Sequence, residues 1–244
     1  MLLCLDCGNS RLKWGMFDDA APQPHWLTQG ALPLADIAQL PHAITTLPPP
    51  ERMIACNVAS NEVHILLEKN AGIIDAPLIW SKSCAAQCGV TNGYDQPSQL
   101  GADRWAALIG ARQLHSDACL VVNSGTATTV DILDASGFFR GGIILPGIGL
   151  MRVSLAQHTA RLPLADGEFH ALPRNTQDAI DSGCRLATAG AIERMFAQIA
   201  GETDAVCLLS GGAAERIATL LDIPLRRIDN LVLEGLARIG SSTN

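Results

Sequence analysis

Two segments of this chain share one pattern, and that pattern constrains its fold more than any other feature. Residues 2–18 read LLCLDCGNSRLKWGMFD and residues 119–134 read CLVVNSGTATTVDILD. In each, a short apolar run enters a turn of the form polar-x-Gly-polar and leaves as a second apolar run, which predicts a β-hairpin. Asp6-Cys7-Gly8-Asn9 aligns with Asn123-Ser124-Gly125-Thr126. A glycine among small polar residues at a hairpin tip lets backbone N–H groups come close to a ligand, and grouped N–H donors suit an anion.

The segments around these hairpins alternate in character. Residues 52–58 (RMIACNV), 77–81 (PLIWS), 138–147 (FFRGGIILPG) and 205–210 (AVCLLS) are short apolar runs bounded by turn residues, as buried strands are. Residues 61–72, 104–115, 148–158, 176–199 and 231–240 carry helical spacing or helix-favouring composition. Strands alternating with helices predict an α/β architecture. The repeated hairpin further predicts two similar halves, residues 1–116 and 117–244.

Composition narrows the partners. The net charge of −7 disfavours nucleic acid and anionic membranes, which select basic faces. It leaves phosphate ligands open, since backbone N–H groups bind them without net positive charge. No apolar run reaches the roughly 18–20 residues of a membrane span. The start, MLLCLD, lacks a basic flank and is interrupted by Asp6, so it does not read as a secretory signal. The expectation is a cytoplasmic protein whose eight cysteines are thiols. The pairs Cys4/Cys7 and Cys84/Cys88 lack the compact histidine-bearing context of a zinc site, and Cys4 in an apolar strand reads as a small hydrophobe.

Six motifs, in order, carry a family resemblance. They are Asp6-x-Gly8-Asn9-Ser10 with Lys13; Gly101-Ala102-Asp103-Arg104 with Tyr94 upstream; and Gly125-Thr126-Ala127-Thr128-Thr129 with Asp131. Then come Gly141-Gly142 through Pro146-Gly147, Asn175-Thr176 with Ala179 and Gly183, and Leu233-Glu234-Gly235-Leu236. The series is similar to that of type III pantothenate kinases, within the superfamily of acetate and sugar kinases, actin and heat-shock chaperone ATPases. The resemblance implies two ribonuclease-H-like halves in an actin-like ATPase fold, with a nucleotide cleft between them. It also implies ATP and pantothenate as substrates, Mg²⁺ as cofactor, K⁺ or NH₄⁺ as a possible activator, and a homodimer with the substrate site near the interface.

Roles follow residue by residue. Asp6, at the first hairpin tip, would hold Mg²⁺ through water, while Gly8, Asn9, Ser10 and Lys13 would contact the triphosphate. Thr126 and the Gly211-Gly212 pair resemble further ATP-binding elements. Asp103 is the candidate general base, because an alcohol needs a place for its proton as it attacks. Arg104 offers the planar fork that suits substrate oxygens, and Tyr94, Gly101, Ala102 and Thr176 complete the acceptor pocket. At Asn123 the family carries an aspartate that binds a monovalent cation; here an amide replaces it. Three structural readings stand beside these: an Asx-turn for Asp6, an N-cap for Asp103 and an exposed strand position for Lys13. Two other functions also remain open, a related kinase with another small acceptor and a non-catalytic nucleotide-binding regulator.

Overall fold

Residues Leu2–Cys7 (β1) and Arg11–Asp18 (β2) form the first hairpin of the computed structural model, which describes residues 1–164 and 166–242. β3 (His25–Pro33) adds antiparallel to β2, and a short helix α1 (Leu40–Ala43) follows. β4 (Arg52–Asn57) then pairs parallel to β1, α2 covers Asn61–Ile74, and β5 (Leu78–Trp80) completes a sheet ordered β3-β2-β1-β4-β5. All six residues of β1 are buried, as expected for a central strand covered on both faces. Two short strands, β6 (Ala86–Gln87) and β7 (Val90–Asn92), precede helix α3 (Ala102–Leu114).

The second hairpin is β8 (Cys119–Ser124) with β9 (Ala127–Leu133). β10 (Phe138–Pro146), helices α4 (Ile148–His158) and α5 (Thr176–Phe196), β11 (Val206–Ser210), helix α6 (Ala214–Ala218) and β12 (Leu225–Arg227) follow. Their sheet runs β12-β11-β8-β9-β10. The last element is helix α7 (Leu231–Ser241).

By packing, the chain divides into two units. One holds Met1–Ser116, Gly137–Phe139 and the chain from Asn230 onward; the other holds Asp117–Ser136 and Arg140–Asp229. This differs from the division expected at residue 116, because α7 follows the second unit in sequence yet packs with the first. The reason is steric as well as hydrophobic. Along the α3–α7 contact a Cβ on Gly235 would lie 1.7 Å from the Ala106 carbonyl oxygen, and one on Gly110 would lie 2.4 Å from the Leu231 carbonyl oxygen. Only glycine lets the two backbones approach this closely. Residues 231–237 bury Leu231, Val232, Leu233, Leu236 and Ala237 in the process.

Each unit has its own core. In the first, Leu3, Leu5, Leu12, Met16, Met53, Val63 and Leu67 pack together under the sheet. In the second, Leu120, Val122, Val130, Ile192, Phe196, Cys207 and Leu209 do the same. No helix among the described residues is long and apolar enough to cross a membrane.

Candidate active site

The first unit brings together most of the residues assigned to the acceptor and the metal. Asp6 is not at the hairpin tip as expected; it is a ladder residue of β1, paired across to Lys13 on β2 and to Cys56 on β4. The tip itself is Gly8 to Ser10, closed by Gly8 N–H donating to the Arg11 carbonyl at 3.2 Å, with Asn9 and Ser10 exposed. Asp6 is 7% exposed, and the Cys56 thiol donates to its Oδ1 at 3.5 Å. Burial pushes its carboxyl from 3.8 up to about 6; nearby Lys13 opposes the rise, the Asp103 charge adds to it, and the Cys56 hydrogen bond opposes it. Lys13 is half-buried beside this carboxylate rather than an exposed strand residue.

Asp103 stands in the first turn of α3, whose N-cap is Gly101, so the helix begins two residues before Arg104. Its Oδ1 accepts the Arg104 backbone N–H at 2.8 Å. A Cβ on Gly101 would sit 2.6 Å from that same Oδ1, so only a glycine there leaves the carboxylate its place. Burial raises the Asp103 carboxyl, against the lowering effects of the Arg104 backbone hydrogen bond and of the Arg104 charge. Arg104 is 5% exposed and donates from Nη1 to the Tyr94 hydroxyl at 2.8 Å. Its guanidinium lies 5.6 Å from the Tyr94 ring centroid and 5.8 Å from that of Phe139. Ala102 opens the helix beside them.

Tyr94 is held from below. Its backbone N–H donates to Asn92 Oδ1 at 3.0 Å, while Asn92 Nδ2 donates to Ser83 Oγ and to the carbonyls of Cys84 and Pro97. The sequence reading missed Asn92 and Phe139. An Asn-Gly dipeptide just before the only tyrosine was the available sign of Asn92. Phe139 carried no local sign, because it meets this loop only through the pairing of β10 with β7.

The second unit gathers a different set. In its hairpin, Gly125 N–H donates to the Ala127 carbonyl at 2.9 Å and Ser124 Oγ bonds Thr128 Oγ1 at 2.9 Å, which leaves Thr126 exposed at the tip. Gly211, in the left-handed region at φ 103°, lies against this hairpin: a Cβ there would be 2.3 Å from the Ser124 carbonyl oxygen. Gly212 follows, with open space where a side chain would stand. Gly147 packs on the other side of the tip, its N–H donating to the Thr126 carbonyl at 2.9 Å. Asn123 pairs with Ser210 across the β8–β11 ladder and is half-buried.

Thr176, also expected in the acceptor pocket, belongs to the second unit. It is the first residue of α5, after the Asn175 cap, and it lines a cavity of about 1190 Å³ between α4 and α5 with Leu150, Met151, Leu155, Pro173 and Ile180. Cys4 and Cys7 are buried in β1, where the apolar surroundings push both thiols up, Cys7 to about 12. Among the described residues no group of three or more histidine, cysteine or acidic side chains forms a ready metal cage.

This chain is similar over nearly its whole length to known proteins. The family model described as type III pantothenate kinase matches residues 2–198. A type III pantothenate kinase of Aromatoleum aromaticum is 55% identical, with 97% of this chain and 96% of that protein covered. One from Azoarcus sp. is 51% identical, covering 99% and 91%. Among solved structures, a Campylobacter jejuni protein provisionally described as a Baf family transcriptional activator aligns with TM-score 0.65 at 20% identity over 98% of each chain. A Listeria monocytogenes protein provisionally described as an N-acetylmannosamine kinase aligns with TM-score 0.54 at 11% identity, covering 100% and 99%. At such identities these two likenesses speak for the fold alone, the α/β nucleotide-binding fold that sugar kinases share with actin. With the motifs in place and the match extending along the chain, the protein belongs to the type III pantothenate kinases.

Proposed function

We propose that this kinase transfers the γ-phosphate of ATP to the 4′-hydroxyl of pantothenate, giving 4′-phosphopantothenate and ADP at the start of coenzyme A synthesis. The observation that carries the reading is one cluster in the first unit: Asp103, Arg104 and Tyr94 joined by short hydrogen bonds, in the unit that also sets buried Asp6 across the ladder from half-buried Lys13. The hydroxyl oxygen attacks the γ-phosphorus as the bond to the β,γ-bridging oxygen breaks, and the hydroxyl proton passes to the Asp103 carboxylate. Burial makes that carboxylate a better base than an ordinary aspartate. Arg104 and Tyr94 orient the acceptor, with Gly101 and Ala102 forming the wall from which α3 starts. Positioning and charge neutralisation do most of the work in phosphoryl transfer.

The donor set fits Mg²⁺, which keeps several waters and takes few protein carboxylates. Asp6 with the nucleotide phosphates would hold it, and its charge would neutralise the β- and γ-phosphate oxygens. In the first unit Gly8, Asn9, Ser10 and Lys13 are the residues proposed to contact ATP; in the second unit, taken by itself, they are Thr126, Gly211 and Gly212. Asn123 can still offer a carbonyl oxygen to K⁺ or NH₄⁺, but without charge. Purified protein supplied with ATP, Mg²⁺, K⁺ and pantothenate is expected to form 4′-phosphopantothenate. ATP turnover with other small hydroxy acids and none with pantothenate would point to the related-kinase reading, and nucleotide binding without any turnover to the regulator.

The dimer is part of the same proposal. Leu150 and Leu155 on α4, which line the same cavity as Thr176, are 47% and 37% exposed. An apolar face of that extent suits a second copy of the chain, which would bring Thr176 to an interface. Sedimentation as a monomer at assay concentrations would count against it. The role in coenzyme A synthesis supports a cytoplasmic setting.

A further inference from the structure

We propose that Phe139 is a positioning residue for the acceptor site: its ring holds Arg104 and Tyr94 in the arrangement that receives pantothenate. This rests on the reading of those two residues as the pantothenate contacts. Phe139 is fully buried at the start of β10, and three features tie it to them. Its ring centroid is 5.4 Å from that of Tyr94, with the planes inclined by 35°. The Arg104 guanidinium lies 5.8 Å from the same ring. Its backbone is in register with Asn92, whose side chain anchors the Tyr94 N–H.

Gly93 shows how tightly the loop is pressed on this strand. A Cβ there would fall 2.0 Å from the Phe139 carbonyl oxygen and 2.9 Å from the Phe138 ring. The loop bearing Tyr94 therefore takes its position from β10.

The chemistry explains why an aromatic ring suits the place. Arg104 as a whole residue is 5% exposed, so its guanidinium has given up most of its water. A ring face recovers part of that loss by attracting the cation, and does so without using the N–H edges that bind oxygens. Leucine would fill much of the same space but offers no negative face and no flat surface. Arg104 would then keep its hydrogen bond to Tyr94 while both side chains lose their common support.

The test uses the full-length enzyme. Phe139→Leu is expected to raise the KM for pantothenate roughly three- to thirty-fold, the range a cation–π contact spans. The KM for ATP should stay within about twofold, which also reports an intact fold. Phe139→Tyr, which keeps the ring face, should retain the wild-type KM for pantothenate within about twofold. Tyr94 is the only tyrosine in the chain, so tyrosine-labelled protein gives one set of ring NMR signals. These should move on adding pantothenate to the wild type, and should already differ in free Phe139→Leu.

If the wild-type signals ignore saturating pantothenate, the acceptor-site reading itself fails. If they respond, and Phe139→Leu responds alike with an unchanged pantothenate KM, the positioning role is overturned. A loss in kcat or in both KM values alike would overturn it too, as a merely structural effect. Should Phe139→Leu not fold, Phe139→Met, whose flexible chain adapts to irregular space, is read by the same criteria.

Discussion

Replacing Asp6 with asparagine removes a charge that the fold holds under strain and leaves the side chain's shape almost unchanged. Burial moves the carboxyl from 3.8 to about 6 in the folded protein. At about 1.4 kcal/mol per pH unit, the folded state disfavours the ionised form by roughly 3 kcal/mol relative to the unfolded chain. The sign is opposite to that of an ordinary salt-bridged aspartate. Between pH 3.8 and 6 the folded state binds more protons than the unfolded one, so this group's contribution to stability falls as pH rises. Asp6→Asn escapes that loss.

The variant should therefore match wild type near pH 4 and become more stable across the next two pH units. It should then level off at about 2–3 kcal/mol of extra stability, less whatever the weak Cys56 hydrogen bond contributed. Urea unfolding followed by tryptophan fluorescence, from about pH 4.5 to 8 without nucleotide or metal, reads the difference directly. The same variant should lose Mg²⁺-dependent turnover, because the neutral amide cannot replace the carboxylate at the metal. A stability difference that stays flat with pH, or wild type gaining on the variant above pH 6, would refute the claim that Asp6 is held against its preferred protonation state.

Two further outcomes are expected. Asp103→Asn should lower kcat by about 10²–10⁴-fold, the usual worth of a general base, and leave nucleotide affinity near that of wild type; activity within about threefold of wild type would remove Asp103 from that role. Asn123→Asp should strengthen activation by K⁺, since a carboxylate offsets a poorly solvated cation and an amide does not; initial rates against K⁺ in a Tris background that coincide for both proteins would show that position 123 is irrelevant to cation binding.

Features that depend on short stretches of chain could be read directly from the residues. Both hairpins were legible because apolar runs flanking a glycine leave little choice but strand, turn and strand, and the structure forms them at Leu2–Asp18 and Cys119–Leu133. The helix after the Gly101–Arg104 motif was legible from its alanine-rich spacing, and it extends over Ala102–Leu114. The motifs, in order along the chain, also carried the family.

Tertiary structure alone decided what depends on approach between distant segments. Asp6 looked like a turn residue from its neighbours in sequence, yet pairing with β4 as well as β2 places it inside the sheet, and that burial, with a further push from the Asp103 charge, raises its pKa against the opposing effects of Lys13 and the Cys56 hydrogen bond. Phe139 looked like any strand phenylalanine until β10 paired with β7 and set it against Tyr94 and Arg104. The last helix belonged to the second half by sequence order, but the absence of a side chain on Gly110 and Gly235 lets α7 close on α3 in the first unit. Local backbone preference and hydrophobic period are properties of consecutive residues, whereas desolvation, ring contacts and backbone approach arise only once residues far apart in sequence are brought together.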